Sequence, residues 1–187
     1  EGMTPVNVRD LGRAGEQVPL PEPDDATGRK MAVIGAGPGG LSAAWHLTLK
    51  GHTVTVFDTG SDIGGKIASV IPGSRIPEQT LKTELDRIKA LIPDIRLEQS
   101  IDADTFAKIR DDYDFTIVAA GAKKPRRLPV PGIERAVFAN AFLSQAKAGN
   151  AGPGRQVVII GAGNVGCDVA TEAHRLGARE ITLIDVQ

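Results

Sequence analysis

The residues with the clearest chemical use in this sequence form a glycine pattern G-x-G-x-x-G, made by Gly35, Gly37 and Gly40. An apolar run at 31–34 precedes it, and a helical pattern follows it and stops at Gly51. A second apolar run, 54–57, ends in Asp58, which is 58 − 35 = 23 positions after the first glycine. Dinucleotide-binding βαβ units place an acid about 20 residues after this pattern. The stretch therefore predicts such a unit, and a βαβ unit that binds nothing is the alternative.

Each residue type has a physical reason to be there. A first glycine allows the tight turn out of the strand, a second lets the backbone approach a pyrophosphate, and a third lets helix and strand pack closely. Free N–H groups and the positive end of the helix dipole then face the phosphates, and the acid can bind the ribose hydroxyls. The predicted cofactor-binding residues of this unit are Gly35, Gly37, Pro38, Gly39, Gly40 and Asp58.

The end of the chain repeats this unit at an offset of 126 residues. The offset maps the four glycines of the first copy onto Gly161, Gly163, Gly166 and Gly177. The final acid, Asp185, follows the first glycine by 185 − 161 = 24 positions. Two complete patterns imply two dinucleotides, or one dinucleotide and a degenerate copy.

Between the copies, the sequence predicts further α/β elements. Residues 59–76 form a loop centred on Gly64-Gly65-Lys66, which leaves the strand end on the ligand side of the sheet, although a flexible turn explains the glycines equally well. The pattern predicts helices at 77–92, 104–110 and within 138–148, and strands at 95–97 and 115–119. The last strand ends at Ala120-Gly121, whose small side chains leave room for a cofactor.

Length, charge and cysteine count limit the number of domains and the kinds of partner that the chain can have. The 187 residues carry a formal net charge of −1, which predicts no binding to nucleic acid or to anionic membranes. No apolar run reaches the length of a membrane span, and the N-terminus lacks the apolar segment of a signal peptide. The single cysteine excludes an internal disulfide and an all-cysteine iron–sulfur site, and no metal site is predicted. We expect a cytoplasmic protein with an extended arm at 1–29, a first dinucleotide-binding domain at 30–127 and an incomplete second domain at 128–187.

The sequence resembles the FAD-dependent pyridine nucleotide oxidoreductases, and within them the glutamate synthase small-subunit branch. The segments that carry the resemblance are AVIGAGPGGLSAA, HTVTVFD, IGGK, IPGSRIPEQTLKTELDRI, DFTIVAAGA, KPRRLPVPG and VVIIGAGNVGCDVA. The resemblance implies a Rossmann-like α/β FAD-binding domain with a parallel sheet, followed by the start of a second Rossmann-like domain for NAD(P). It also implies that FAD lies near Gly65, Lys66, Ala120 and Gly121, and the nicotinamide nucleotide near Gly161, Gly163, Asn164 and Val165.

Two departures from the branch matter. Val186 and Gln187, beside Asp185, stand where the branch often has an arginine pair suited to the 2′-phosphate of NADP. An acid there suits a free 2′-hydroxyl, so NAD is favoured over NADP. The segment that returns to close over the flavin and the N-terminal iron–sulfur module are also missing, so we expect a piece of a longer protein that works with an iron–sulfur module or an electron-transfer partner subunit.

The resemblance implies that the flavin carries the chemistry, so no catalytic acid, base or nucleophile is predicted. Disulfide reductases of the same fold need a cysteine pair, which this chain lacks. Two alternatives stay open: the nucleotide-binding part of an old-yellow-enzyme-type dienoyl-CoA reductase, and a non-catalytic nucleotide-binding or subunit-docking module.

Overall fold

The computed structural model of the chain describes residues 15, 18–125 and 127–185. The chain divides into two compact units. The first comprises Glu1–Gly65 and Pro77–Gly121, and the second comprises Lys66–Ile76 and Ala122–Gln187.

The first unit is a four-stranded parallel sheet in the order β3-β2-β1-β4. Its strands are β1 (Lys30–Ile34), β2 (Thr53–Phe57), β3 (Asp94–Arg96) and β4 (Phe115–Val118). Its helices are α1 (Pro38–Leu49), α3 (Glu78–Leu91) and α4 (Ala103–Asp112), while the short helix α2 (Gly65–Ser69) begins at its edge. Because β1 has neighbours on both sides, the chain reverses its direction of winding at β1, which is where open α/β sheets bind ligands.

Both faces of β1 and β2 are buried, as parallel strands require. Met31 and Val33 point into one cluster with the buried face of α1, and Leu85 and Ile88 of α3 pack against that cluster. Ala32 lies on the opposite face with Phe57 and Ile109. Near-continuous apolar strands follow from this two-sided burial.

The arm before β1 is attached at its described end. Asp24 N–H donates to Leu49 O at 2.8 Å, and Thr27 N–H donates to Gly51 O at 3.0 Å. A Cβ on Gly51 would lie 2.0 Å from Asp25 O, so glycine is needed where the arm passes the end of α1. Residues 1–14 and 16–17 lie outside the described residues.

The second unit contains the parallel pair β5 (Gln156–Ile160) and β6 (Glu180–Ile184). Its helices are α5 (Ala139–Lys147) and α6 (Asn164–Arg175), with a 3₁₀ turn at Ile133–Arg135. Leu143, Ile159 and Val169 form its core, and Val70 packs against them.

The predicted α/β fold with Rossmann-like parallel sheets is confirmed. Helix and strand predictions agree with the structure to within two residues in most cases, but the predicted loop 59–76 contains α2. No helix in the described part of the chain is both long and apolar enough to cross a bilayer. The predicted boundaries between the arm and the first domain, at 29/30, and between the two domains, at 127/128, remain predictions.

Candidate functional site

The first glycine loop begins where β1 and β2 end together. Gly35 has φ +115°, and its N–H donates to Phe57 O at 2.7 Å. A Cβ at Gly35 would lie 2.3 Å from Ala119 O and 3.1 Å from Ala120 N. Only glycine satisfies both the positive φ and this close approach of the chain after β4.

The other two glycines of the pattern differ in what surrounds them. A Cβ at Gly40 would lie 1.8 Å from Gly35 O, so the third glycine is fixed by helix-to-strand packing. A Cβ at Gly37 would meet no atom within 4 Å, and its φ of −79° is a backbone conformation that any residue can adopt. Protein packing therefore gives no reason for glycine at position 37, and a ligand that approaches the backbone does.

The start of α1 is suited to an anion. Pro38 occupies its first turn, with Gly39 beside it, and the N-terminus has neither a side-chain cap nor an acid in the first turn. By contrast, α4 is capped by Asp102, which accepts from Thr105 N–H at 2.8 Å. The N–H groups at the start of α1 and the helix dipole thus stay available for a phosphate.

The carboxylate of Asp58 forms hydrogen bonds with the backbone of the glycine loop and of the loop after β2. Its two oxygens accept the N–H groups of Ala36, at 2.6 Å, and Gly60, at 2.7 Å. A carboxylate has about four acceptor positions, so acceptor capacity remains for ribose hydroxyls. Asp58 therefore orders the glycine loop while it lies at the predicted ribose position.

The loop after β2 returns to the glycine loop. Gly64 N–H donates to Ala36 O at 2.8 Å, and a Cβ on Gly65 would lie 2.9 Å from the Cα of Gly37. Lys89 of α3 hydrogen-bonds Asp62 at 2.9 Å, and this bond holds the pKa of the Asp62 carboxyl below its usual value. The first unit thus brings together its predicted glycines, Asp58 and Ala120.

Gly121 and Lys66 lie at the edges of the two units. Gly121, with φ +69°, is exposed and closes the first unit. Lys66 belongs to the second unit, where its Nζ donates to Ala122 O at 2.7 Å.

The second glycine loop repeats the geometry of the first. Gly161 has φ +107°, and its N–H donates to Ile184 O at 2.7 Å. A Cβ on Gly166 would lie 1.9 Å from Gly161 O, and one on Gly163 would again meet no atom within 4 Å. The start of α6 has no side-chain cap and no acid in its first turn. The repeat that the sequence predicts is therefore a repeat of local structure.

The remaining predicted residues of the second copy lie at its surface. Asn164 begins α6, Val165 is half-exposed, and Asp185 is exposed just after β6. Val186 and Gln187, on which the NAD preference partly depends, lie outside the described residues.

Sequence reasoning missed an ion pair beside the second copy. Arg75 Nε and Nη2 contact Asp168 Oδ1 of α6 at 2.7 and 2.6 Å. The two residues are 93 positions apart, in two different segments that carry the family resemblance, and neither segment by itself indicates that the two side chains meet. Across the described ranges, no group of three His, Cys, Asp or Glu residues is placed to hold a metal ion.

Comparisons with known proteins agree with this geometry. The family described as "Pyridine nucleotide-disulphide oxidoreductase" matches residues 29–187. The chain is 37% identical to the NADP(+)-dependent formate dehydrogenase subunit beta of Moorella thermoacetica, over 84% of this chain and 23% of the relative. It is 36% identical to the glutamate synthase [NADPH] small chain of Mycobacterium tuberculosis, over 83% of this chain and 36% of the relative. The chain thus spans about a third or less of these relatives.

A solved structure shares the fold. The 2-naphthoyl-CoA reductase complex matches with a TM-score of 0.67 and 25% identity, over 88% of this chain and 24% of that one. The family match covers both glycine loops and nearly all of the sequence between the arm and the end of the chain. The chain belongs to the pyridine nucleotide-disulphide oxidoreductase family, with similarity to the small chain of glutamate synthase.

Proposed function

We propose that this chain binds FAD at the first glycine loop and a nicotinamide nucleotide at the second, as part of an oxidoreductase that passes hydride between them. The observation that carries the proposal is the paired geometry of Gly37 and Gly163. Each lies at the start of an uncapped helix, and neither is required by protein packing. A bound flavin would supply the hydride-accepting chemistry.

The chain's own residues would bind and orient the two nucleotides. The N–H groups at the start of α1 and α6 would hold the diphosphates, and Asp58 would accept hydrogen bonds from the ribose of FAD. A Cβ on Gly65 would lie 2.9 Å from Gly37 Cα, and a Cβ on Gly35 would lie 3.1 Å from Ala120 N, so backbone without bulky side chains borders the proposed diphosphate site. We also propose 30–127 as the FAD part, 128–187 as the start of the NAD(P) part, and 1–29 as an arm.

For the nicotinamide nucleotide we propose NAD over NADP. Asp185 lies just beyond the end of β6, where a carboxylate suits a 2′-hydroxyl and repels a 2′-phosphate. The names of the two relatives carry NADP(+) and NADPH, so both nucleotides have to be compared directly.

We further propose that electrons leave through an iron–sulfur module or a partner subunit, in the cytoplasm. The names of the relatives support a partner subunit, since they are called a subunit beta and a small chain. Similarity to 2-naphthoyl-CoA reductase favours a second candidate, the nucleotide-binding part of a reductase that acts on CoA thioesters.

Two alanine variants test the assignment and act as controls for each other. In Gly37→Ala and Gly163→Ala, the new methyl group meets no protein atom within 4 Å, so the fold should be unchanged. We expect Gly37→Ala to weaken FAD binding at least tenfold and leave NADH binding unchanged, and Gly163→Ala to do the reverse. Equilibrium titrations of each nucleotide measure both affinities. A nucleotide-binding role is refuted when neither variant changes either affinity; tight nucleotide binding without reduction of FAD would favour the non-catalytic module.

A further inference from the structure

Residues 66–76 are anchored to the rest of the second unit. Lys147 Nζ donates to Ile67 O, within α2, at 3.2 Å and to Ile71 O, just after α2 ends, at 2.8 Å. Between these carbonyls, the side chain of Val70 packs against the core of this unit. This anchoring fixes the position of the residue that follows the segment's last turn.

That residue is Arg75, whose N–H donates to Pro72 O at 2.9 Å as the turn closes. Its Nε and Nη2 both contact a single oxygen, Oδ1 of Asp168, at 2.7 and 2.6 Å. The Asp168 side chain is only 16% exposed, whereas that of Arg75 is 56% exposed. Water therefore screens the carboxylate poorly, and the guanidinium is its positive partner.

The place of Asp168 on α6 gives this pair a consequence for nucleotide binding. Asp168 lies four residues after Asn164, the first residue of α6, which is about 6 Å along the helix axis. That distance is within the Debye length of about 8 Å at physiological salt. A carboxylate with no partner there would oppose the attraction of the helix N-terminus for a diphosphate.

We propose that Arg75 is a positioning residue for the second nucleotide site: it neutralises Asp168 and holds residues 66–76 against α6. This inference rests on the proposed function, because it takes the start of α6 as the diphosphate site. Arg75 acts through Asp168 and does not itself contact the nucleotide.

Four variants separate this electrostatic role from simple structural support. Arg75→Gln leaves Asp168 charged and should weaken NADH binding about tenfold, whereas Arg75→Lys keeps the charge and should stay within about threefold of the parent chain, as expected for an interaction over a few ångströms. Asp168→Asn removes the charge, so the double variant Arg75→Gln/Asp168→Asn should recover most of the affinity. The loss in Arg75→Gln should also shrink as salt is added, because screening weakens the repulsion.

Direct binding titrations of NADH and FAD, with circular dichroism to check folding, provide the readout. FAD affinity should be the same in all four variants. Equal NADH affinity in the parent chain and Arg75→Gln, or a double variant weaker than Arg75→Gln, overturns this inference and leaves the proposed function standing. A folded parent chain that binds neither nucleotide overturns the proposed function and this inference with it.

Discussion

The third glycine of the first loop gives a sharp test of the packing argument. In Gly40→Ala the new Cβ would lie 1.8 Å from Gly35 O, whereas ordinary van der Waals contacts begin at 3.4 Å. The start of α1 would have to move away from β1 by more than 1 Å. Leu41 and Ala44, which α1 buries against the sheet, would lose contacts. Overpacking of this kind costs typically 1–3 kcal/mol, and the upper end, about 3 kcal/mol, is expected because both clashing groups belong to the backbone framework.

Urea unfolding followed by fluorescence measures this loss. The only tryptophan, Trp45, lies on α1 and so reports on the helix that must move. With an m-value of about 2 kcal/mol per molar urea, the midpoint should fall by about 1.5 M. The matched control is Gly39→Ala, since a Cβ there meets no atom within 4 Å, and its midpoint should stay the same or rise. A Gly40→Ala midpoint equal to that of the control would refute the close approach of α1 to β1.

Two further predictions concern stability alone. Gly51→Ala and Gly177→Ala both place alanine at a positive φ, +76° and +104°, which costs about 1–2 kcal/mol. Only in Gly51→Ala would the new Cβ also lie 2.0 Å from Asp25 O. The thermal midpoint should therefore fall further for Gly51→Ala, and equal midpoints would contradict the docking of the arm. The hydrogen bond from Arg96 lowers the pKa of the Asp94 carboxyl, so Asp94 stabilises the fold above its unfolded pKa of about 3.9 and loses this effect as pH falls through its folded pKa. As pH falls from neutral to below the folded pKa of Asp94, the free energy of unfolding should decrease less in Asp94→Asn than in the parent chain. The difference should be under about 1 kcal/mol, because the side chains of the pair are partly exposed. An identical pH dependence of the free energy of unfolding in the two proteins would contradict the ion pair.

The local elements of this chain could be predicted because each has a local cause. The two strand, glycine and helix patterns carry their own turn residues and periodicity, so they predict that β1 and β5 end just before Gly35 and Gly161, as the structure has it. The same holds for α3, whose apolar residues repeat at helical spacing and whose start is set by a proline.

What could not be predicted depends on contacts between residues far apart in sequence. Residues 59–76 have no strong periodicity, and α2 is held by Lys147, some 80 positions away. The hydrogen bond from Ala36 N–H to the Asp58 carboxylate could not be predicted either. Ribose binding is by itself a sufficient reason for an acid at position 58, so the sequence does not indicate this second role. Gly51 was predicted to end a helix, but its contact with the arm depends on tertiary packing.

Above all, the proposed function requires that the two glycine loops bind the two partners of one hydride transfer. The most direct measurement is the visible absorbance of the FAD-loaded chain while NADH, and in a separate sample NADPH, is added without oxygen. We expect the flavin absorbance to bleach, and to do so at lower concentrations of NADH than of NADPH. A chain that holds FAD but whose absorbance neither nucleotide changes would contradict the claim.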